Sequence, residues 1–322
     1  MMTPTTTTAI DEPDAGTPAD LDWGIATIVS ELRTLRDASL AARHRVGKPV
    51  KLPSRKVLTS VVDALSTALF PNRLSLHELA DETIDVFVGR TLDEALHLLA
   101  DQVVCELQFA SGRENASGEQ RDQAISLVRE FAARLPGIRL LLESDIRSAY
   151  EGDPAARSID EVLVCYPGIS AITHHRLAHA LHRLGAPLVA RVIAEIAHSA
   201  TGIDIHPGAQ IQGSFFIDHG TGVVIGETAI IGERVRLYHG VTLGAKRFQV
   251  DESGALVKGN FRHPIVEDDV VIYAGATILG RITIGRGSVI GGNVWLTRSV
   301  PPESNISQAK VRNEVYDAGA GI

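Results

Sequence analysis

The last third of the chain carries an aliphatic residue at every sixth position. An α-helix repeats every 3.6 residues and a half-exposed strand every two, so neither produces this pattern. A parallel β-helix does, because each hexapeptide forms one face of a three-sided coil and points its aliphatic residue inward. We therefore predict a β-helix over residues 201–302. The members of the repeat, with a slip of two residues after the fourth and a polar interruption after the eighth, are Ile205, Ile211, Ile217, Val223, Ile225, Ile231, Leu237, Leu243, Val266, Ile272, Ile278, Ile284, Ile290 and Leu296.

The preceding residues 21–200 have apolar residues at helical spacing instead, as in "VLTSVVDALSTALF" and "LDEALHLLADQVVCELQFA". Turn-forming residues interrupt this pattern at Phe70–Arg73, Ser111–Glu119, Gly152–Ser158 and Tyr166–Gly168. The spacing predicts an all-helical N-terminal domain. Residues 1–20 are rich in Thr, Pro and acid, which predicts a disordered leader, and residues 303–322 follow the repeat as a C-terminal tail.

Composition excludes several classes of protein. The formal net charge is −8, whereas proteins that bind nucleic acid by neutralising phosphates usually carry an excess of Lys and Arg. No apolar run is long enough to span a membrane, and no signal segment opens the chain. The only two cysteines, Cys105 and Cys165, have no metal-binding spacing. We expect a cytoplasmic protein without nucleic-acid or membrane partners.

The polar interruption between Leu243 and Val266 reads "GAKRFQVDESGALVKGNFRHPI". We predict a loop over residues 245–262 that leaves the coil. Long loops on rigid scaffolds tend to carry function.

Polar residues on an aliphatic coil face outward or lie on loops, so they are the candidates for chemistry. One turn of a three-sided coil takes roughly 18 residues, which places Asp204 and His219 on neighbouring turns. A carboxylate that orients an imidazole is the arrangement that general-base catalysis needs. An exposed histidine beside an incidental acid fits the same spacing. The candidates are Asp204, His206, Asp218, His219, His239, Arg262 and His263.

Metal binding is a third interpretation of these histidines. Hexapeptide β-helices can hold zinc between subunits, and imidazole is a common zinc ligand; the available histidines of the coil are His206, His219, His239 and His263. The helical segment "THHRLAHALHR" adds His175, His179 and His182 on one helix face. Such a stripe is more often a packed or solvated helix face than a set of ligands.

Two longer stretches carry a family resemblance. These are "DIHPGAQIQGSFFIDHGTGVVIGETAIIGERVRLYHGVTLGA" and, after "RHP", "GATILGRITIGRGSVIGGNVWLTRSVPP". They closely resemble serine O-acetyltransferases of the hexapeptide-repeat acyltransferase superfamily. The match covers Gly202 to about Pro302 and extends weakly back through "GDPAARS" and "YPGISAITHHRLAHAL". The element "DHGTGVVIGE" is specific to that family, whereas the repeat alone indicates only an acyltransferase-like solenoid.

The resemblance implies acetyl transfer from acetyl-CoA to the hydroxyl of L-serine in cysteine biosynthesis. By the resemblance, His219 is the general base and Asp204 is its orienting carboxylate. The hydroxyl attacks the thioester directly, without an acyl-enzyme, which agrees with the absence of a cysteine near the motif.

The resemblance also assigns residues to the two charged groups of the substrate. Asp153 and Asp218 match the residues that hold the ammonium group, and two carboxylates complement one cation. Arg262 and His263 match those that hold the carboxylate, where a guanidinium can bind bidentately.

For acetyl-CoA, the resemblance points to a groove between coils of adjacent subunits. The implied contacts are Gly244, Lys246, Gly275, Ala276, Gly292 and Lys310. Further cations available for the CoA phosphates are Arg247, Lys258 and Arg312, although a solvated surface is an equally good explanation for any one of them. No metal is implied.

The chain departs from common family members in its longer excursion from Lys246 to Asn260, which places it with a long-loop branch. This departure puts the contacts of the loop in question, but not the catalytic pair. The helical region is also longer than usual.

The family further implies a left-handed coil, against the usual right-handed crossover, and a homotrimer or a hexamer built from two trimers. The final "DAGAGI" resembles tails whose terminal isoleucine inserts into O-acetylserine sulfhydrylase, so Ile322 is a candidate contact; a frayed terminus is the alternative. Alternative functions are acyl transfer to another small hydroxyl or amine, a γ-carbonic-anhydrase-like metalloprotein, and a non-catalytic binding solenoid.

Overall fold

The computed structural model describes residues 23–42, 50–75, 81–112, 116–247, 251–252 and 254–308. It has two compact units, Met1–Pro49 and Val50–Ile322. The described part of the first unit contains helix α1 (Ile25–Ala42), which has no buried residue. The predicted leader, residues 1–20, and most of the predicted tail, residues 309–322, lie outside the described residues.

The described part of the second unit begins with helices, as the apolar spacing predicted. Ser54 accepts a hydrogen bond from the Val57 amide and starts α2, and Ser117 forms a capping box with Gln120 at the start of α5. Two later helices start with a proline and end at a glycine of positive φ. The helices are α2 (Arg55–Leu69), α3 (Pro71–Leu74), α4 (Asp81–Ser111), α5 (Gly118–Gly152), α6 (Ile159–Cys165), α7 (Pro167–Leu184) and α8 (Pro187–Thr201).

Short parallel strands follow α8 and form three sheets. We call them sheet A (β1-β4-β7-β10-β13), sheet B (β11-β8-β5-β2) and sheet C (β14-β12-β9-β6-β3). The chain visits them in the rotation A, B, C, so each round adds one strand to each sheet, except that between β13 and β14 only an isolated bridge of Val300 to Ile284 stands in place of a strand of sheet B. The strands are β1 (Asp204–Ile205), β2 (Gln210–Ile211), β3 (Phe216–Ile217), β4 (Val224–Ile225), β5 (Ile230–Ile231), β6 (Arg236–Leu237), β7 (Thr242–Gly244), β8 (Ile265–Val266), β9 (Val271–Ile272), β10 (Thr277–Leu279), β11 (Thr283–Ile284), β12 (Val289–Ile290), β13 (Trp295–Leu296) and β14 (Asn305–Ile306).

Two rows of side chains fill the space between the sheets. The first is the aliphatic repeat without Val223, whose members occupy the second position of their strands and are buried, except for the partly exposed Leu296. The second row stands two residues earlier and was not predicted. Val223 belongs to this second row, because Ile225 pairs with Ile205. The second row consists of Ile203, Ala209, Phe215, Val223, Ala229, Val235, Val241, Val270, Ala276, Ile282, Ser288 and Val294.

The excursion from Lys246 to Asn260 leaves the ladder of paired parallel strands where the sequence predicted a loop. β7 pairs directly with β10 in sheet A, and β5 pairs directly with β8 in sheet B. The ladder therefore continues across the excursion without a missing strand. The described residues of the excursion are mostly exposed.

The division into compact units differs from the predicted boundary near residue 200. Helices α2–α8 belong to the same unit as the strands, because one core runs from Leu142 and Ile146 of α5 into Phe215 and Phe216 of the first round. No helix in the described part of the chain combines the length and apolarity needed to cross a membrane.

A buried ion pair joins the helices to the first round. Arg176 of α7 donates two hydrogen bonds to Asp145 of α5, at 2.6 and 2.8 Å. The same guanidinium donates to the carbonyls of Ile211 and Gln212, and Asp145 accepts from the Phe215 amide at 2.9 Å. Both side chains are almost wholly excluded from solvent, so each charge depends on its partner.

We predict that Asp145→Ala lowers the free energy of unfolding by about 3–5 kcal/mol, because it leaves the Arg176 charge buried and unpaired. Chemical denaturation measures this loss. The matched control is Glu130→Ala, which breaks the exposed Arg134–Glu130 pair and should cost less than about 1 kcal/mol. Equal losses in the two variants would contradict the assigned role of the buried pair.

Candidate functional site

The corner between β3 and β4 contains two more residues than the same corner in the next rounds. Asp218 aligns with Tyr238, because the Asp218 amide donates to Leu237 just as the Tyr238 amide donates to Ile272. Thr221 aligns with His239, since their carbonyls accept from the amides of Gly240 and Gly275. The inserted pair is therefore His219–Gly220, which explains the two-residue slip in the repeat.

The insertion projects His219 out of the coil. His219 has φ 57° and Gly220 has φ 92°, and a Cβ at Gly220 would collide with Ile203. A left-handed conformation is uncommon for a residue other than glycine, whereas Gly220 adopts it without a steric penalty. The imidazole is 74% exposed, and its Nδ1 lies 3.7 Å from Asp218 Oδ1.

Asp153 and Tyr166 complete the acidic side of this corner. Asp153 caps α5, and its Oδ2 accepts a 2.6 Å hydrogen bond from the Tyr166 hydroxyl. Its Oδ1 accepts from the Ala155 amide at 2.8 Å. We call Asp153, Tyr166, Asp218 and His219 the acidic corner.

Two glycines allow the helices to approach this corner. A Cβ at Gly152 would collide with Arg236, and one at Gly168 would collide with the Ile217 carbonyl. Gly152 precedes Asp153, and Gly168 follows Tyr166 by two positions. The motifs "GDPA" and "YPG" therefore bring their polar residues against β3.

Hydrogen bonding within the corner shifts two pKa values in opposite directions. The hydrogen bond from Tyr166 lowers the pKa of Asp153, and the same bond raises the pKa of Tyr166 to about 12. Asp153 is therefore a carboxylate at neutral pH, and Tyr166 keeps its proton.

A second cluster lies at the corner that follows sheet A. Arg262 Nη2 donates to Glu227 Oε2 at 2.6 Å, and the Arg262 amide donates to Thr228 Oγ1. Thr228 also supports His263, whose Nδ1 accepts from the Thr228 amide at 3.0 Å. Arg281 donates to the carbonyls of Thr228 and His263. We call Glu227, Thr228, Arg262, His263 and Arg281 the basic corner.

His263 is held as a neutral donor. Burial lowers its pKa to about 4, and Arg262 contributes to the same shift. Because Nδ1 accepts a hydrogen bond, the ring proton sits on Nε2. A Cβ at Gly226 would collide with this ring, so the glycine makes room for it.

Glu227 occupies part of the hydrogen-bonding capacity of Arg262. Burial by itself would raise the pKa of Glu227, but the hydrogen bond and charge of Arg262 lower it below its usual value. Arg262 is thus oriented by an anion rather than standing unpaired.

The pairing of Asp204 with His219 remains a prediction. Within the described residues, no hydrogen bond or ion pair joins Asp204 to His219; the Asp204 carboxylate instead lies with Glu195 and His198. His219 Nδ1 lies 3.7 Å from Asp218 Oδ1, and Ile203, which precedes Asp204, packs against the inserted Gly220.

The two corners lie at opposite ends of the strands of sheet A. Asp218 and His219 precede strand β4, whereas Glu227 follows it, and Arg262 and His263 come just before β8 of sheet B. No interaction between the two corners is found among the described residues. Within one chain, the structure therefore does not bring the predicted ammonium and carboxylate contacts together.

The residues predicted to bind acetyl-CoA are dispersed. Gly275 (φ 70°) stands at a C-to-A corner, with Gly292 one round further along. Ala276 is fully buried, and its amide and carbonyl are both hydrogen-bonded within the chain. Gly244 lies in β7, and Lys310 lies outside the described residues.

Lys246 lines a cavity of about 340 Å³ between the excursion and β10. Arg247, Arg262 and Arg281 line the same cavity, together with Phe261. Four cationic side chains around one cavity could accommodate an anionic group. Lys258 is exposed and does not line this cavity.

The histidines do not form the predicted alternative metal site within one chain. His219 and His239 pack at 5.9 Å between ring centroids on the C-to-A corner, whereas His206 and His263 stand on the A-to-B side. In the helical stripe, His175 is buried and lies 5.6 Å from His179, as expected for a packed helix face.

Sequence reasoning missed four residues that shape the two corners. Tyr166 was interpreted only as part of a turn, and Glu227, Thr228 and Arg281 only as part of the stretches that carry the resemblance. Their role depends on contacts between segments far apart in sequence, such as Thr228 with His263. Glu227 and Thr228 come shortly after β4, the strand that follows the inserted corner. This position was the signal in the sequence that could have identified them.

Comparison with known proteins gives a consistent result. The family described as bacterial transferase hexapeptide (six repeats) matches residues 263–298. A serine acetyltransferase of Synechococcus elongatus is 56% identical over 304 residues, covering 93% of this chain and 95% of the relative. One of Mycobacterium tuberculosis is 52% identical over 163 residues, covering 51% of this chain and 67% of the relative.

Solved structures agree with these sequence matches. The crystal structure of Entamoeba histolytica serine acetyltransferase 1 in complex with L-cysteine superposes with a TM-score of 0.68 at 37% identity. The match covers 82% of this chain and 90% of that one.

We predict that Tyr166→Phe raises the pKa of Asp153, because it removes the hydrogen bond that stabilises the carboxylate. Asp153 would then take up its proton at a higher pH than in the unmodified protein. Carbon-13 NMR of labelled aspartate carboxyls during a pH titration measures the change. Tyr150→Phe, at an exposed tyrosine of α5, is the control and should leave the titration unchanged. An unaltered midpoint for Asp153 in Tyr166→Phe would contradict the assignment.

Proposed function

The chain belongs to the serine acetyltransferase family, and we propose that it transfers the acetyl group of acetyl-CoA to the hydroxyl of L-serine. The products are O-acetyl-L-serine and free CoA, and the reaction begins the synthesis of cysteine from serine. The observation that carries the proposal is the inserted, exposed His219, which stands beside two carboxylates on a corner of the coil.

In this proposal, His219 acts as the general base. It takes the proton of the serine hydroxyl as the oxygen attacks the thioester carbonyl. The tetrahedral intermediate then collapses, the carbon–sulfur bond breaks, and the proton on His219 passes to the departing sulfur, which leaves as the CoA thiol. No covalent enzyme intermediate is needed. Asp204 is proposed to orient the imidazole, although in the single chain its carboxylate lies beside Glu195 and His198.

The charges of the two corners complement the two charges of an amino acid. Asp153 and Asp218 are suited to the ammonium group, since two carboxylates can accept its hydrogen bonds. Arg262 supplies a guanidinium, and neutral His263 supplies an N–H, for the carboxylate. The acceptor proposed here is therefore a free amino acid with a hydroxyl side chain.

Assembly brings the corners together in this proposal. The two corners lie at opposite ends of the strands of sheet A. Around a threefold axis, the acidic corner of one copy would therefore face the basic corner of its neighbour. We propose a homotrimer of left-handed β-helices on this basis; a hexamer formed from two trimers is compatible with the same pairing.

The row of C-to-A corners, between the strands of sheet C and those of sheet A, is the proposed path of acetyl-CoA. Tyr238 and Tyr273 stack there at 4.9 Å between ring centroids, and Gly275 and Gly292 leave the backbone accessible. The phosphates would reach cations such as Lys246, and Lys310 in the undescribed tail is a further candidate. We propose that the transfer itself uses no metal.

Two further proposals concern partners and location. The terminal Ile322 is proposed to bind O-acetylserine sulfhydrylase, and the protein is proposed to act in the cytoplasm. Binding of nucleic acid is not part of the proposed function.

We predict that the protein releases CoA thiol from acetyl-CoA with L-serine, and much more slowly with L-threonine, ethanolamine or glucosamine. His219→Ala should lower kcat by about a hundredfold or more, the magnitude of a lost general base. His97→Ala, at an exposed histidine of α4, should leave kcat unchanged. Preference for another acceptor would replace the proposed substrate, and near-normal turnover of His219→Ala would remove His219 from the role of base.

A mixing experiment tests the assembly of the site. His219→Ala and Arg262→Ala should each be nearly inactive alone. An equimolar, randomly co-assembled mixture should regain about a quarter of the wild-type kcat, because about three quarters of its trimers are mixed and each mixed trimer has one of its three pairs of corners intact. His219→Ala mixed with Asp153→Ala is the control and should stay inactive, because both changes lie on the acidic corner. Activity absent from the first mixture would contradict a site shared between chains.

A further inference from the structure

A group of three potential metal ligands lies where the last helix meets the first strand. Glu195 and His198 are three residues apart on the last two turns of α8, so they share one face of the helix. Asp204 begins β1. One ligand atom from each residue lies within 4.8 Å of the other two, and no other such group of three occurs among the residues that the structure describes.

The backbone around this group is held firmly. Gly202 ends α8 with φ 71°, and the buried Ile203 anchors the connection. The Asp204 amide donates to the Val223 carbonyl at 2.9 Å. Arg55 donates to the Glu195 carbonyl and to the Ser199 hydroxyl. The backbone at the end of α8 and at the start of β1 is therefore fixed before a metal ion binds, which lowers the entropic cost of binding.

The side chains retain capacity to coordinate a cation. Arg191 pairs with Glu195 Oε1 at 2.8 Å, which leaves Oε2, 3.5 Å from His198 Nδ1. Within the described part of the chain, neither the His198 ring nor the Asp204 carboxylate makes a hydrogen bond. A ligating carboxylate that is itself held by a second group is a common feature of metal sites.

We propose that Glu195, His198 and Asp204 bind a divalent transition-metal ion, with Zn²⁺ as the representative, and that its binding inhibits acetyl transfer. Two carboxylates and one neutral imidazole balance most of the charge of such an ion, and an imidazole ligand favours zinc over magnesium or calcium. Ligand distances of about 2.0–2.2 Å require the side chains to close by roughly 1 Å.

Inhibition follows from the dual use of Asp204, and this part rests on the proposed function. A carboxylate bound to a cation cannot orient the His219 imidazole. The metal would therefore lower kcat without occupying either corner. The site links the availability of a metal ion to the rate of acetylation.

The test measures binding and activity separately. Zn²⁺ alone is titrated into the intact, chelator-treated protein by calorimetry, and Co²⁺ absorption reports the nitrogen ligand. Wild type should bind one ion per chain. His198→Ala and Glu195→Gln should weaken binding about tenfold or more. His97→Ala, which alters a similar exposed His–Asp pair on α4, and Cys165→Ser, which removes the exposed thiol, should bind as wild type does. Mg²⁺ should not compete.

Activity is then measured with and without Zn²⁺. Wild type should be inhibited and recover with EDTA, whereas His198→Ala should keep its basal kcat and lose the inhibition. Zinc binding unchanged by His198→Ala would overturn the site, and zinc binding that leaves the kcat of wild type unaltered would overturn the inhibition. Should the protein not acetylate serine at all, the proposed function fails, while calorimetry and the Co²⁺ spectrum still decide the metal site.

Discussion

The parallel ladder of two-residue strands is the constraint on which the rest of the structure depends. Each strand directs one side chain into the space between the sheets, so a second residue two positions earlier also turns inward to fill that space. Both interior rows are apolar almost throughout, and Ser288 is satisfied by hydrogen bonds to Pro301 and Ser304. Polar chemistry is thereby confined to the corners, where the backbone turns with positive φ. The acidic and basic corners both follow from this confinement of polar side chains to the corners.

Packing of helices against the first round determines what the acidic corner contains. The coil supplies Asp218 and His219, but Asp153 and Tyr166 come from the end of α5 and the start of α7. Their approach depends on the absence of a side chain at Gly152 and Gly168, and the Arg176–Asp145 pair fixes the same two helices to β2 and its neighbours. Loss of the Arg176–Asp145 pair would therefore shift Asp153 and Tyr166 at the acidic corner as well as lower the stability of the protein.

The helices and strands could be predicted from the sequence because each produces a short-range periodicity of apolar residues. The excursion could be predicted because it interrupts that periodicity. The repeat placed Ile205, Ile272 and their equivalents in the interior, and the slip marked the corner that carries His219. The pairing of Asp204 with His219 was inferred from their spacing and from the family resemblance, and it remains a prediction, since the side-chain contacts of a corner are not encoded in the periodicity. The support of His263 by Thr228 depends on the excursion returning to the same corner, which no local pattern encodes. Nor does periodicity reveal that helices and strands share one core.

The insertion at His219–Gly220 and the excursion before Arg262 have a shared consequence for how such a coil can diverge. Both lengthen a corner, and in both cases the ladder resumes in register on the far side. A corner can thus change length while the interior rows keep their partners. Reactive groups can be moved, added or exchanged at the edges of the prism with little effect on its core, so the architecture separates the evolution of chemistry from the maintenance of the fold.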